Sequence, residues 1–172
     1  GIHAATDTEY QWGWYGQMLG GYFRNHPAGT PTATVHTEDT NEPSTTGLPD
    51  PWVRTDEWYN FQPPSNPVVN GGGNDYSPRD SGVHVLMTVD ESTYDEQDGN
   101  TTDDDHPVTW CTDFDGGRAW YTALGHTVGL AARMEQLAAP GTVCVTEHTA
   151  RLVEGFFALH DRGTPAMKGV SA

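Results

Sequence analysis

Basic side chains are scarce in this sequence: lysine and arginine together number 8 against 24 aspartates and glutamates, for a formal net charge of -16. Such a chain repels polyanions and offers no basic patch for counterion release, which excludes nucleic acid as a partner. Long apolar runs are missing as well, since none approaches the roughly 20 residues that span a bilayer, and no membrane partner is expected. A basic n-region and an initiating methionine are both lacking at the start, so the first residue reads as the middle of a longer domain. Cysteine is nearly absent. Cys111 and Cys144 lie far apart in apolar, strand-like runs, which predicts buried free thiols rather than a disulfide and leaves the compartment open.

The residues that are present divide unevenly. Residues 1 to 127 hold 20 acidic and 4 basic side chains and all 6 tryptophans, whereas residues 128 to 172 hold 4 of each charge. The first part is rich in Gly, Pro, Asn, Asp and Thr, with turn-forming stretches such as NEPSTTGLPDP; the second is rich in Ala, Leu and Val. A shift of this kind marks a domain boundary, here without an intervening linker.

Local patterns place the elements. GIHAATD suits the end of a strand and a turn into a helix. In EYQWGWYGQMLGGYF, Trp14, Met18 and Tyr22 recur at helical spacing, which predicts a short helix stopped by Gly20 and Gly21. ATVHTED, WVRTDEWYNF, VHVLMTVD, HPVTWCTDF and GRAWYTALGH read as strands. DESTYDEQDGNTTDDD is too polar to pack. Its Asp95, Asp98, Asp103, Asp104 and Asp105 offer oxygen ligands for calcium, but an EF-hand frame counted back from Gly99 puts Tyr94 where the first carboxylate belongs, so a solvated loop is expected.

Most of the histidines carry no supporting context; two do. His3, at a strand-to-helix turn beside small residues, is expected to be held exposed at the carboxyl edge of a parallel sheet, and His126, ending another strand, to reach the same edge. Glu57 reads as a mid-strand carboxylate whose burial beside Trp58 or Tyr59 would raise its pKa and suit acid/base work. His3, Glu57 and His126 are therefore the candidate catalytic set.

Several blocks, GIHAATDTEYQWGWYGQMLGGYFRNHPA, ATVHTEDTNEPSTTGLP, WVRTDEWYNFQ, VHVLMTVDESTY and DHPVTWCTDFDGGRAWYTALGHT, resemble in order and spacing the later part of ThuA-like domains, named for trehalose utilisation. The resemblance implies an α/β, flavodoxin-like fold related to class I glutamine amidotransferases, with its opening βαβ units preceding residue 1 and a domain running from 1 to 126. It also implies that His3 stands at the turn where those amidotransferases keep a nucleophilic cysteine, and that His126 is the counterpart of their triad histidine. Without the thiolate, glutaminase chemistry is not expected. What the resemblance implies instead is metabolism of a small sugar, a disaccharide or keto-sugar, with Asp7, Trp12, Tyr59 and His106 binding it and a divalent metal at His3 and His126 as a candidate cofactor. Trp12, Trp14, Trp58 and Tyr59 could stack on a pyranose ring, although core packing is the expectation for Trp14 and Trp58. A carbohydrate-binding module without catalysis is the alternative. The acidic, lysine-poor surface suits a secreted or periplasmic protein, and the oligomeric state is open.

From Tyr121 onward the reading changes. The stretch GHTVGLAARMEQLAAPGTVCVTEHTARLVEGFFALHDRGTPAMKGVSA resembles the final part of class III adenylate and guanylate cyclase domains, an appended α+β fragment over residues 127 to 172. By motif Arg133 falls where those cyclases keep an arginine for the transferring phosphoryl group, but Gly129 replaces the usual asparagine, and the metal-binding aspartates belong to a part of the domain not present. Cyclase activity is not expected. YTALGHT suits both families, which suggests a chimeric reading frame joined there by recombination or by an assembly error, with a non-functional fragment as a further alternative.

Overall fold

The computed structural model describes residues 1–96 and 105–126. The chain divides into two units, Gly1–His126 and Thr127–Ala172, and all the described residues belong to the first. Arg133, Gly129, Cys144 and the cyclase-like fragment lie outside the described residues, as do Asp98, Asp103 and Asp104 of the acidic loop.

The chain opens with Ile2 bridged to Thr122 and a 3-10 turn over His3–Thr6. Helix α1, Gly13–Leu19, follows. It ends as the glycine pair predicts: Gly20 takes φ 83° and its N–H returns to the Gly16 carbonyl. A Cβ at Gly20 would lie 2.7 Å from Val83 Cγ1, and one at Gly16 would run into the Tyr22 ring. Tyr22 itself is not helical. It begins β1, Tyr22–Asn25, and its buried hydroxyl reaches the carbonyls of Glu9 and Trp12, fastening the strand to the helix entrance.

Six more strands occur among the described residues: β2 Thr32–Thr37, β3 Trp52–Thr55, β4 Asn60–Gln62, β5 His84–Asp90, β6 Pro107–Phe114 and β7 Gly117–Thr122. β1 and β4 form a two-stranded sheet; the rest form a sheet in the order β3-β2-β5-β6-β7. Every pair of these strands is antiparallel. This departs from the expected parallel sheet. The reason is visible between β6 and β7, where Asp115 (φ 49°) and Gly116 (φ 76°) form a two-residue hairpin loop with both φ positive. Such a loop joins antiparallel neighbours only, because a parallel pair needs a long crossover. The one parallel pairing among the described residues is the Ile2–Thr122 bridge.

The run WVRTDEWYNF is also not one strand. It breaks into β3 and β4 around Asp56 and Glu57, so Glu57 lies in the connection rather than in mid-strand. The core gathers the inward residues of the larger sheet, Val35, Leu86, Val108 and Trp110 among them, against Trp58, Phe61 and Tyr121. Trp110 donates its indole N–H to the Leu19 carbonyl at 2.7 Å, tying β6 to the last turn of α1. Cys111, on the same strand, is a free thiol but half-buried rather than buried. Among the described residues no helix is long and apolar enough to cross a membrane.

Candidate functional site

Three imidazoles from distant parts of the sequence converge on one carboxylate. His3 sits in the turn after Ile2 with φ 46°, a left-handed conformation that a non-glycine residue seldom adopts and that turns the ring inward. It is not exposed as the sequence suggests: only 2 % of it reaches solvent. Its Nδ1–H donates to the Ala123 carbonyl at 2.7 Å, and its Nε2 lies 3.0 Å from Glu57 Oε2. His126 Nδ1 lies 3.0 Å from the same oxygen. His26, from the loop after β1, places Nε2 3.9 Å from Glu57 Oε1 and its Nδ1 2.7 Å from the Pro27 carbonyl. The Glu57 side chain is 15 % exposed, whereas His26 and His126 are 29 % and 28 % exposed, so the two outer imidazoles face solvent and the carboxylate stands behind them.

The electrostatics differ from the expectation. Burial alone would raise the Glu57 carboxyl, but the hydrogen bond from His3, the charge of His26 and the hydrogen bond from His126 outweigh it and hold the pKa at about 2. Glu57 is therefore an anion across the neutral range, a fixed negative charge rather than a proton donor.

A neighbour missed by sequence reasoning holds this arrangement together. Asp56 is buried, and its two oxygens accept backbone N–H bonds from Glu57 at 3.1 Å, Gly125 at 2.9 Å and His126 at 3.0 Å, plus one from the Arg54 guanidinium at 3.2 Å. It clamps the segment carrying His126 to the segment carrying Glu57. Tyr59 supports the other side, with its ring 4.2 Å from that of His3 and stacked on His26.

The remaining predicted site residues go elsewhere. Tyr59 is buried, so it braces the histidines and presents no face to a sugar. His106 is buried at 1 % exposure and faces Glu91, outside the His3 cluster. Asp7 lines a cavity of about 350 Å³ with Glu9, Gln11 and Asn70, and accepts a 2.6 Å hydrogen bond from Tyr10. Trp12 is exposed and stacks on Trp14 and Tyr15. Trp58 is in the core as expected, but Trp14 is exposed, its ring edge on Phe114 and its indole N–H on Asp115. In the acidic loop Asp105 is engaged by Arg79 and Ser77.

With this geometry in view, comparison with known proteins decides the family. The family described as ThuA, trehalose utilisation, matches residues 1–138. This chain belongs to the ThuA family. A second family description, the adenylate and guanylate cyclase catalytic domain, matches residues 111–172 and overlaps the first. Two solved structures are similar to this ThuA chain. One is a ThuA-like protein from Parabacteroides merdae (18% identity, TM-score 0.50), the other a ThuA-like protein from Bacteroides uniformis (25% identity, TM-score 0.51). In each case the match covers 73% of this chain and 48% of the solved one, so the chain spans about half the length of these relatives. No match is found among curated proteins.

The donor set of this ThuA chain also suits a divalent ion. The ligand atoms of His3, Glu57 and His126 lie within 4.8 Å of one another. Of this set, His3 is pinned through Nδ1 to the Ala123 carbonyl with Nε2 turned to the carboxylate. That outer hydrogen bond is what fixes a metal-ligating histidine in its tautomer and orientation.

Proposed function

We propose that this ThuA chain acts in carbohydrate metabolism on a disaccharide or keto-sugar, by proton transfer at His126 and His26 around Glu57. The observation that carries the reading is a single carboxylate, ionised down to about pH 2, shared by three imidazoles of which two reach solvent. An imidazole so placed can take a proton from a sugar hydroxyl or from the carbon beside a keto group. The fixed carboxylate then stabilises the imidazolium that forms. His3, buried and tied to Ala123, positions Glu57 rather than meeting substrate. The cluster offers imidazoles and a carboxylate in place of a thiolate, and glutaminase chemistry is not part of the proposal. The exposed Trp12 and the cavity that Asp7 lines are the proposed docking surface for the sugar.

A second reading of the same centre is favoured by the close donor atoms of His3, Glu57 and His126 and the pinned Nδ1 of His3: the cluster holds a divalent metal that polarises a sugar oxygen. Turnover of a panel of disaccharides and keto-sugars, measured with and without chelator on wild type and His126→Ala, tests both. Turnover lost in His126→Ala but insensitive to chelation supports proton transfer, and loss on chelation with recovery on adding metal supports the metal. Sugar binding that survives His3→Ala and His126→Ala without any turnover would leave a carbohydrate-binding module.

The antiparallel sheet and the Ile2–Thr122 bridge are proposed as part of a larger flavodoxin-like domain, in keeping with the half-length cover of the related structures. The overlap of the two family matches at residues 111–138 supports a chimeric reading frame whose shared stretch is YTALGHT, with Arg133 a remnant of the cyclase motif. A single DNA read through those codons decides between a true fusion and two separate genes. An acidic, lysine-poor chain of this kind is proposed to work outside the cytoplasm, which fractionation of the native host tests.

A further inference from the structure

Behind Tyr59 lies a second group of ligand-type side chains that the sugar site does not use. His106, just before β6, donates its Nε2–H to the Tyr59 carbonyl at 2.9 Å. That bond fixes one ring proton on Nε2. The other nitrogen, Nδ1, then meets Glu91 Oε1 at 2.9 Å, with the Tyr94 hydroxyl at 3.3 Å. With a second ring proton Nδ1 donates to Glu91, as His3 Nε2 does to Glu57; without that proton it presents a lone pair beside the carboxylate, the form that takes a metal ion.

Glu96 sharpens the problem. Both of its carboxylate oxygens are shut off from solvent, and neither meets a hydrogen-bond donor among the described residues. A buried carboxylate without a donor is among the most expensive arrangements a fold can hold. The guanidinium of Arg79 does not relieve it, being engaged with Asp105 and Glu38.

We infer that Glu91, Glu96 and His106 form a second divalent-cation site, separate from the His3–Glu57–His126 cluster, whose ion ties the end of β5 to the start of β6. The three donor atoms lie within 4.8 Å of one another. Around an ion with bonds of about 2.1 Å, tetrahedral donors stand roughly 3.4 Å apart, a contraction that small side-chain rotations supply. One imidazole nitrogen with two carboxylates suits Zn²⁺ or Mn²⁺ better than Mg²⁺, which prefers an all-oxygen shell and retained water. The Nε2–H bond to the Tyr59 carbonyl is the outer contact that orients such a ligand. Two carboxylates also neutralise the charge of the ion. The role is structural: Tyr59, whose ring backs His3 and His26, is held from behind by this histidine. This second site does not depend on the sugar-site reading.

The test is Zn²⁺ titration of the chelator-stripped full chain, with bound metal counted by elemental analysis and the melting temperature followed in parallel. Glu96→Gln, nearly the same shape, is expected to bind one equivalent less than wild type and to lose the Zn²⁺-dependent rise in melting temperature. Glu57→Gln is expected to keep that equivalent, whatever the first cluster binds. Equal stoichiometry in wild type and Glu96→Gln overturns the inference and leaves a proton shared between Glu91 and Glu96 as the explanation of the cluster. If Glu96→Gln does not melt cooperatively, Glu91→Gln is read by the same two criteria and decides.

Discussion

Replacing Glu57 by glutamine removes one charge from the centre of the site and leaves its shape almost unchanged. The wild-type carboxyl titrates at about 2 in the folded protein against an ordinary value of 4.5. A group whose pKa is depressed by folding stabilises the protein above its unfolded value and loses that contribution as pH falls through its folded one. The difference corresponds to about 3 kcal/mol, present in full above roughly pH 5 and gone near pH 2. The side chain is 15 % exposed, but His26 and His126 face solvent and screening lowers their share, so this figure is an upper value. Urea unfolding followed by tryptophan fluorescence suits the measurement, because Trp58 and Trp110 are buried and report the loss of the core. Wild type should exceed Glu57→Gln by up to about 3 kcal/mol near pH 5, where the carboxylate is ionised and its imidazole partners carry charge, and the two should converge toward pH 2. A gap that stays constant over this range, or a Glu57 carboxyl seen by NMR to titrate near its ordinary value, refutes the account of the cluster.

Other perturbations have equally definite outcomes. Asp56→Ala strands the buried N–H groups of Glu57, Gly125 and His126, and should cost roughly 3 kcal/mol or more in chemical denaturation while lowering any turnover that needs His126. Gly20→Ala puts a Cβ at φ 83° and 2.7 Å from Val83, and calorimetry should show a loss of about 1–2 kcal/mol. Trp12→Ala, on an exposed ring, should change stability by less than about 0.5 kcal/mol and yet weaken sugar binding by titration calorimetry.

The helix and most strands were legible because their signals are local. The Gly20–Gly21 pair stops α1 where it is expected to, β5, β6 and β7 fall inside the runs expected of them, and β2 begins one residue before its run, at Thr32. Sheet direction was equally legible but lay in two residues: the Asp115-Gly116 pair demands a tight antiparallel hairpin, while the family resemblance pointed to a parallel sheet. The break in WVRTDEWYNF left no periodic trace, because Asp56 turns inward to satisfy backbone donors 69 and 70 positions away. The association of His3, Glu57 and His126 followed from residue type and position in the chain. His26 did not, since it lies in an Asn-His-Pro loop whose only cue is a histidine shortly after a strand. His106 had chemistry to recommend it, but no pattern in the sequence reveals that a histidine is walled in by a glutamate and a carbonyl.

The bonds that seat His3 have a kinetic meaning. They join residues 54 and 120 positions apart in the chain. Contacts of such separation close large loops before they return any stabilisation, and they slow a chain's search for its native topology. The cluster is therefore expected to form late in folding, after the local hairpin of β6 and β7. Its assembly should register only when nearly the whole of residues 1–126 has condensed, so the depressed titration of Glu57 would serve as a clock for the final folding step.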